Sequence, residues 1–301
     1  LTALGSFTAL RRITGPIRPA WNRRLLRVVL QRAYPFALLG VLMTIYNRVD
    51  GVMLERLLGE NGDRQAGIYA AAYRLLDAGT MFAFLISGIL LPLFARMRKE
   101  GQNVWPVARA SFRLLVAVSV TAAVLSAVHA NALMGLLYTE SDAFWGSTFA
   151  WLMPGFVFNA TVYVFGSLLT AENRLRGLNR IALAGVAGNI LLNLLLIPRH
   201  QALGAAYATL ITQGIVAIAH LVYTARVFAW PRRLSGESFR GLGFALLVLV
   251  LALGLEWALG PGLPDALGGS VKAAAWSWWS RALLAAAGAG LAAWTLGLLD
   301  P

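Results

Sequence analysis

Residues 67–94 read GIYAAAYRLLDAGTMFAFLISGILLPLF, an apolar run in which Arg74 and Asp77 are the charged exceptions. A hydrocarbon core of about 30 Å takes roughly 20 such residues as one helix. A helix this long and apolar on all sides has no place on the surface of a soluble domain. The run is a membrane span, and the chain around it repeats the pattern. Apolar runs at 35–58, 106–130, 144–171, 178–197, 203–228, 241–259 and 276–299 are separated by Arg, Asn, Pro or Gly-Asp turns.

The composition agrees. Of 301 residues, 58% are hydrophobic and 13% charged, and the mean hydropathy is +0.67. Soluble domains carry about 25% charged residues. The expected fold class is an all-α, polytopic membrane helix bundle of about eight transmembrane helices. Cysteine is absent, which excludes disulfides, thiolate metal sites, thiol nucleophiles and palmitoylation.

A formal charge of +13 would suggest nucleic acid in a soluble protein. Its distribution gives a different reading. Arg11, Arg12, Arg18, Arg23, Arg24, Arg27 and Arg32 precede the first span; Arg96, Arg98, Lys99, Arg109 and Arg113 follow the second. Arg174, Arg176 and Arg180 follow the fourth, and Arg226, Arg232, Arg233 and Arg240 the sixth. The opposite side holds Arg56, Arg64, Arg199, Lys272 and Arg281. Cytoplasmic loops carry the excess of Lys and Arg, so both termini are expected in the cytoplasm and nucleic acid is not a partner.

Three regions follow. Residues 1–34 form a basic cytoplasmic linker with an interfacial amphipathic helix near 21–33, 35–229 a six-helix transmembrane bundle, and 230–301 two further C-terminal helices. The chain starts at Leu1 rather than methionine. It is therefore expected to be a piece of a longer protein, lacking an N-terminal part.

Two basic residues, Arg48 and Arg74, fall inside spans, accompanied by Asp50 and Asp77. An intramembrane charge costs about 2.5–3.5 kcal/mol on insertion scales and usually faces a bundle interior or wet cavity. At about 1.5 Å per residue, Arg48 is about 20 Å from the cytoplasmic start of its span and Arg74 about 10 Å from the outer start of its own. The two levels coincide in the outer half. Paired guanidiniums suit phosphate oxygens, so Arg48 and Arg74 are candidate binders of a diphosphate headgroup.

Asp50 and Asp77 are candidates for ion coupling, with Asn47, Tyr73, Asn159 and Gln213 as further coupling or cavity-lining candidates. The competing reading is a structural salt-bridge cluster of Arg48, Asp50, Arg74 and Asp77. Asn189 and Asn193, four apart, read as close helix packing. Tyr69 and Tyr73 share a face that suits either packing or sugar stacking, and Pro92 and Pro154 are expected to kink their helices.

Signatures of catalysis are missing. There is no GxxxxGK[ST] loop, HExxH or GxSxG, and His129, His200 and His220 have no metal-triad spacing. The outer connections, 131–142 and 260–275, are short for a catalytic loop. No enzyme, cofactor or metal site is expected.

The order of local motifs resembles a known family. Tyr34-Pro35-Phe36 opens a span containing Asn47-Arg48-Val49-Asp50; Ala66-Gly67-Ile68-Tyr69-Ala70-Ala71-Ala72-Tyr73-Arg74 and Leu91-Pro92 follow. Later come Asn189-Ile190-Leu191-Leu192-Asn193, Ile197-Pro198 and Leu203-Gly204-Ala205-Ala206-Tyr207-Ala208-Thr209. Over about 23–228 this resembles the polysaccharide and O-antigen flippases of the multidrug, oligosaccharidyl-lipid and polysaccharide exporter superfamily.

The resemblance implies the C-terminal lobe of a two-lobed flippase in a bacterial inner membrane. Such a protein moves undecaprenyl-diphosphate-linked oligosaccharide by alternating access, with an N-terminal lobe, a polysaccharide polymerase and glycosyltransferases as partners. Arg48 and Arg74 would supply this lobe's part of a cationic cavity. Gln213 departs from the acid that relatives carry there. The alternatives are a lipid II flippase, a drug-cation antiporter with an acidic or aromatic pocket, and a non-transporting membrane scaffold or enzyme subunit.

Overall fold

The computed structural model describes residues 22–229, 285–286 and 288–289. All regular structure in them is helical: α1 (Arg23–Leu57), α2 (Gly62–Lys99), α3 (Trp105–Val128), α4 (Ala130–Leu137), α5 (Ala143–Leu152), α6 (Gly155–Ala171) and α7 (Leu175–Phe228), with a 3-10 turn at Gly59–Asn61. Five helical stretches among these residues are long and apolar enough to cross a membrane. The protein is an all-α membrane bundle. By its contacts the chain divides into Leu1–Leu38 and Leu39–Pro301.

In the first unit, Asn22 caps α1 by accepting the amides of Arg24 and Leu25 at 3.0 and 3.1 Å. An asparagine cap satisfies donors the first turn leaves free. The linker expected over residues 1–21 lies outside the described residues; from Arg23 the basic stretch is helical, and it continues into the first span without a break at Pro35. Proline is accommodated inside membrane helices, and it does not mark the start of this one.

In the second unit, α6 lies against α2, α3 and α7. Small residues make that possible: Ala72, Ala108, Ala160, Ala205, Ala206 and Ala208 have no exposed surface, which lets backbones approach closely. Outward stripes are the reverse. Ile211, Ile215, Ile218 and Val222 on α7 are all exposed and recur at helical spacing, as a lipid-facing surface requires. In this unit α1 buries little beyond Leu42, Asp50 and Leu54.

The expected fifth and sixth spans appear as one 54-residue helix, α7. Straight, it would measure about 80 Å, far beyond a bilayer. It is a hairpin instead. Gln201 leaves the helical region at φ 55°, ψ −133°, and a Cβ on Gly204 would collide with the backbone carbonyl of Leu196, eight residues earlier. The Ala202 amide released by the break donates to the buried Gln65 of α2 at 3.1 Å. Backbone donors inside a membrane protein need such a partner.

Gly204→Val therefore forces backbone apart at the turn. It should lower the melting temperature in detergent, consistent with an overpacking cost of about 1–3 kcal/mol; an unchanged melting curve would show that the turn opens freely.

Two expected boundaries shift. The connection 131–142, expected on the outer side, is not all loop, since α4 occupies Ala130–Leu137; eight mostly apolar residues are too few for a span yet enough for a short helix. The fourth span divides at Met153-Pro154 into α5 and α6, whereas α2 runs through Pro92 as one helix. Asp142 caps α5 by accepting the amides of Phe144 and Trp145. The expected seventh span and nearly all of the eighth lie outside the described residues, although Ala289 packs on Val116, Ala117 and Val120 of α3.

Candidate functional site

Asp50 is 1% exposed, and its partners are neutral. Its Oδ2 accepts from the Tyr69 hydroxyl at 2.6 Å and the Thr209 hydroxyl at 2.8 Å, and its Oδ1 accepts from the Asn193 amide at 2.5 Å. Asn193 also donates to Asn189 at 3.0 Å. One carboxyl thus ties α1 to α2 and to both arms of the α7 hairpin. The two α7 residues stand eight positions on either side of Gln201, which is why the turn brings them to one level.

This corrects two expectations. Asp50 belongs to no salt-bridge cluster, and among the described residues neither Arg48 nor Arg74 forms an ion pair, whereas Arg96 pairs with Glu100 and Arg98 with Glu172. Asn189 and Asn193 do more than pack helices, since they surround a carboxyl. The Asn193 Oδ1 and Asn189 Nδ2 atoms are buried without a hydrogen-bond partner.

Beside this cluster lies a cavity of about 280 Å³. Asn47, Tyr73, Asp77, Asn159 and Gln213 all line it, with Tyr46, Phe84 and Tyr163. Its level is near the middle of the bundle: Asn47 stands about 15 Å from the C-terminal end of α1 and Tyr73 about 16 Å from the N-terminal end of α2. Tyr73 stacks on Tyr69 with centroids 5.5 Å apart and points its hydroxyl at Asn47 Oδ1, 3.4 Å away. Tyr69 is therefore committed to Asp50 and Tyr73, and is unavailable as a sugar platform.

Arg48 and Arg74 are exposed and do not line the cavity. Arg48 directly follows the lining residue Asn47 on α1, which puts it at the cavity's edge. Its divergence from Asp50, two residues on, follows from helical spacing. Sequence reasoning missed Thr209, Tyr46, Phe84 and Tyr163. Thr209 carried one usable signal, its place in the small-residue stretch that opens the second arm of the hairpin. Among the described residues no group of His, Asp or Glu has metal-site geometry.

Membrane-crossing helices, a buried carboxyl held across three of them and a mid-bundle polar cavity define a multi-pass membrane protein built around an internal site. Comparison with known proteins narrows the class. Residues 1–98 match the family described as polysaccharide biosynthesis protein. The capsular polysaccharide biosynthesis protein CapF of Staphylococcus aureus is 23% identical over 196 residues, which covers 64% of this chain and 49% of that protein. The chain spans about half the length of the curated relative it matches. Both matches are to proteins described by polysaccharide biosynthesis, in line with the resemblance in the sequence.

Proposed function

We propose that the chain works as one lobe of a flippase that carries diphosphate-linked oligosaccharide across a bacterial cytoplasmic membrane by alternating access. The observation that carries this reading is the mid-bundle cavity with Arg48 beside it. A cavity lined by aromatic, amide and carboxyl groups at that depth stands apart from a bundle otherwise packed through alanine and large apolar side chains. The matches to polysaccharide biosynthesis proteins support the substrate class. Arg48 and Arg74, exposed inside membrane helices, take the diphosphate, which charge-assisted paired hydrogen bonds suit.

Asp50 serves as the coupling group. A proton or small cation bound there changes the one acceptor that ties α1 to both arms of α7, and so couples occupancy to helix position. The chain performs no covalent chemistry in this scheme.

One observation favours a second reading. The cavity itself is aromatic and holds Asp77 without an arginine in its lining, as the pocket of a drug-cation antiporter would. Deleting the gene separates the two. Accumulation of lipid-linked oligosaccharide on the cytoplasmic leaflet is the result expected of a flippase. Normal oligosaccharide distribution with new sensitivity to organic cations would favour the antiporter.

A further inference from the structure

The cavity is lined by more polar groups than the protein itself satisfies. Among the described residues, the side chains of Asp77, Asn159, Tyr163 and Gln213 make no hydrogen bond to protein, though all four line it. Two polar atoms on lining residues are unpartnered but have no exposed surface, so they face protein rather than the cavity. The Tyr46 hydroxyl has no hydrogen-bond partner, and neither does Gln213 Oε1, on a side chain 3% exposed that lies over Gly155. A buried polar atom left unpaired costs about 1–3 kcal/mol. The unbonded Asp77, Asn159 and Tyr163 side chains around one cavity indicate a ligand that brings both donors and acceptors, and hydroxyls do both.

The rest of the wall has the complementary character. Phe84 and Tyr163 meet edge to face, with centroids 5.9 Å apart and planes at 71°, and present an apolar corner. Aromatic rings alongside amides and a carboxyl match a sugar ring, which has an apolar C–H face and a polar rim. The volume of about 280 Å³ is at the small end of ligand pockets and suits a short saccharide rather than a chain. An organic cation would use the rings and Asp77 but would leave the Asn159 amide unpaired.

Charge sets the choice among sugars. Asp77 is the ionisable acid in the lining, and no arginine or lysine lines the cavity with it. A carboxylate on the ligand would meet Asp77 in surroundings poorer than water at screening like charges. Arg48 follows Asn47 but is not itself in the lining, and an anionic group on the substrate would be held there.

From this geometry we infer that the cavity is a subsite for the uncharged sugar adjoining the diphosphate, with Asp77 excluding acidic sugars. The inference rests on the flippase reading. It adds a division of labour, with arginines for the diphosphate and the cavity for the identity of the sugar.

The test uses the 301-residue chain in lipid nanodiscs and three probes: geranyl diphosphate, geranyl-diphosphoryl glucose and geranyl-diphosphoryl glucuronic acid. The two sugars differ only in whether carbon 6 is an alcohol or a carboxylate. The glucose probe is expected to bind about tenfold more tightly than geranyl diphosphate, a difference of about 1.4 kcal/mol. It should also bind about tenfold more tightly than the glucuronic acid probe.

Asn159→Ala and Gln213→Ala should each bring the glucose probe down to the affinity of geranyl diphosphate. Asp77→Asn should narrow the gap between the two sugars to about threefold or less. Asp77 is exposed and Asn159 half-buried, so these two variants stand even if Gln213→Ala fails to fold.

Equal affinity for the two sugar probes in the unmodified chain overturns the inference. So does tight binding of tetraphenylphosphonium without any preference for glucose. Failure of the flippase reading has its own signature, since geranyl diphosphate then shows no binding that depends on Arg48.

Discussion

Asp50→Ala is expected to be the most damaging single substitution in the described bundle. The change removes one acceptor group and strands three donors: the hydroxyls of Tyr69 and Thr209 and the amide of Asn193. Each stranded buried donor costs about 1–3 kcal/mol in soluble proteins. Interhelical hydrogen bonds in a membrane protein average about 0.6 kcal/mol, because the separated helices find other partners. Tyr69 and Thr209 can still bond each other at 2.9 Å, which limits the loss. A total of about 2–4 kcal/mol is the reasonable expectation.

That is a large part of the stability of one domain, and it falls on α1, which buries few other residues in this unit. The measurements are the thermal transition in detergent and protease sensitivity of α1. Asp50→Asn keeps an acceptor oxygen and the shape, so it should fold with a loss of about 1 kcal/mol or less while losing any dependence of transport on an ion gradient. If Asp50→Ala melts with the unmodified chain, the carboxyl is not the tie between α1 and α7. If Asp50→Asn transports with normal ion dependence, Asp50 is not the coupling group.

The second large effect is on transport. Arg48→Gln and Arg74→Gln should each leave expression and insertion near normal, because both side chains are exposed and unpaired in ion pairs. Flipping should fall by tenfold to a hundredfold, the loss expected when charge-assisted bonds of about 1.5–3 kcal/mol to a diphosphate are removed. Arg→Lys at either position keeps the charge and loses the planar fork, so it should be intermediate. Fluorescent lipid-linked saccharide in vesicles provides the assay. Unchanged flipping at normal expression in both glutamine variants would remove the arginines from the substrate path.

Hydropathy made the membrane bundle legible, because bilayer thickness sets a length that few other constraints impose. The break between the fifth and sixth spans was also visible, since Pro198, Arg199 and His200 interrupt the apolar run next to Gln201. Pro35 misled for a reason of environment: a membrane helix tolerates a proline that would end one in water. The short α4 was hidden because eight residues fall below any span criterion.

For the site, intramembrane charge and depth arithmetic drew attention to Arg48, Arg74, Asp50 and Asp77, with Asn47 and Tyr73 beside them, which is as far as single helices reach. Asp50's partners Asn193 and Thr209 lie 143 and 159 residues away, so pairing them needs the register between helices. No pattern along one helix contains that register. Nor could composition show that Arg48 lies outside the cavity lining while Asp77 lies within it.

The turn at Gln201 sets that register. Thr209 reaches Asp50 and Gln213, one helical turn later, lines the cavity, so both depend on a rotational phase counted from the same break. One residue inserted or removed at the turn would rotate the second arm by about 100° and swing both side chains away together. The length of the hairpin loop is thus as much a part of the site as any side chain in it. Substitutions along the arm test residues one at a time, whereas a change of loop length resets the acid cluster and the cavity in a single step.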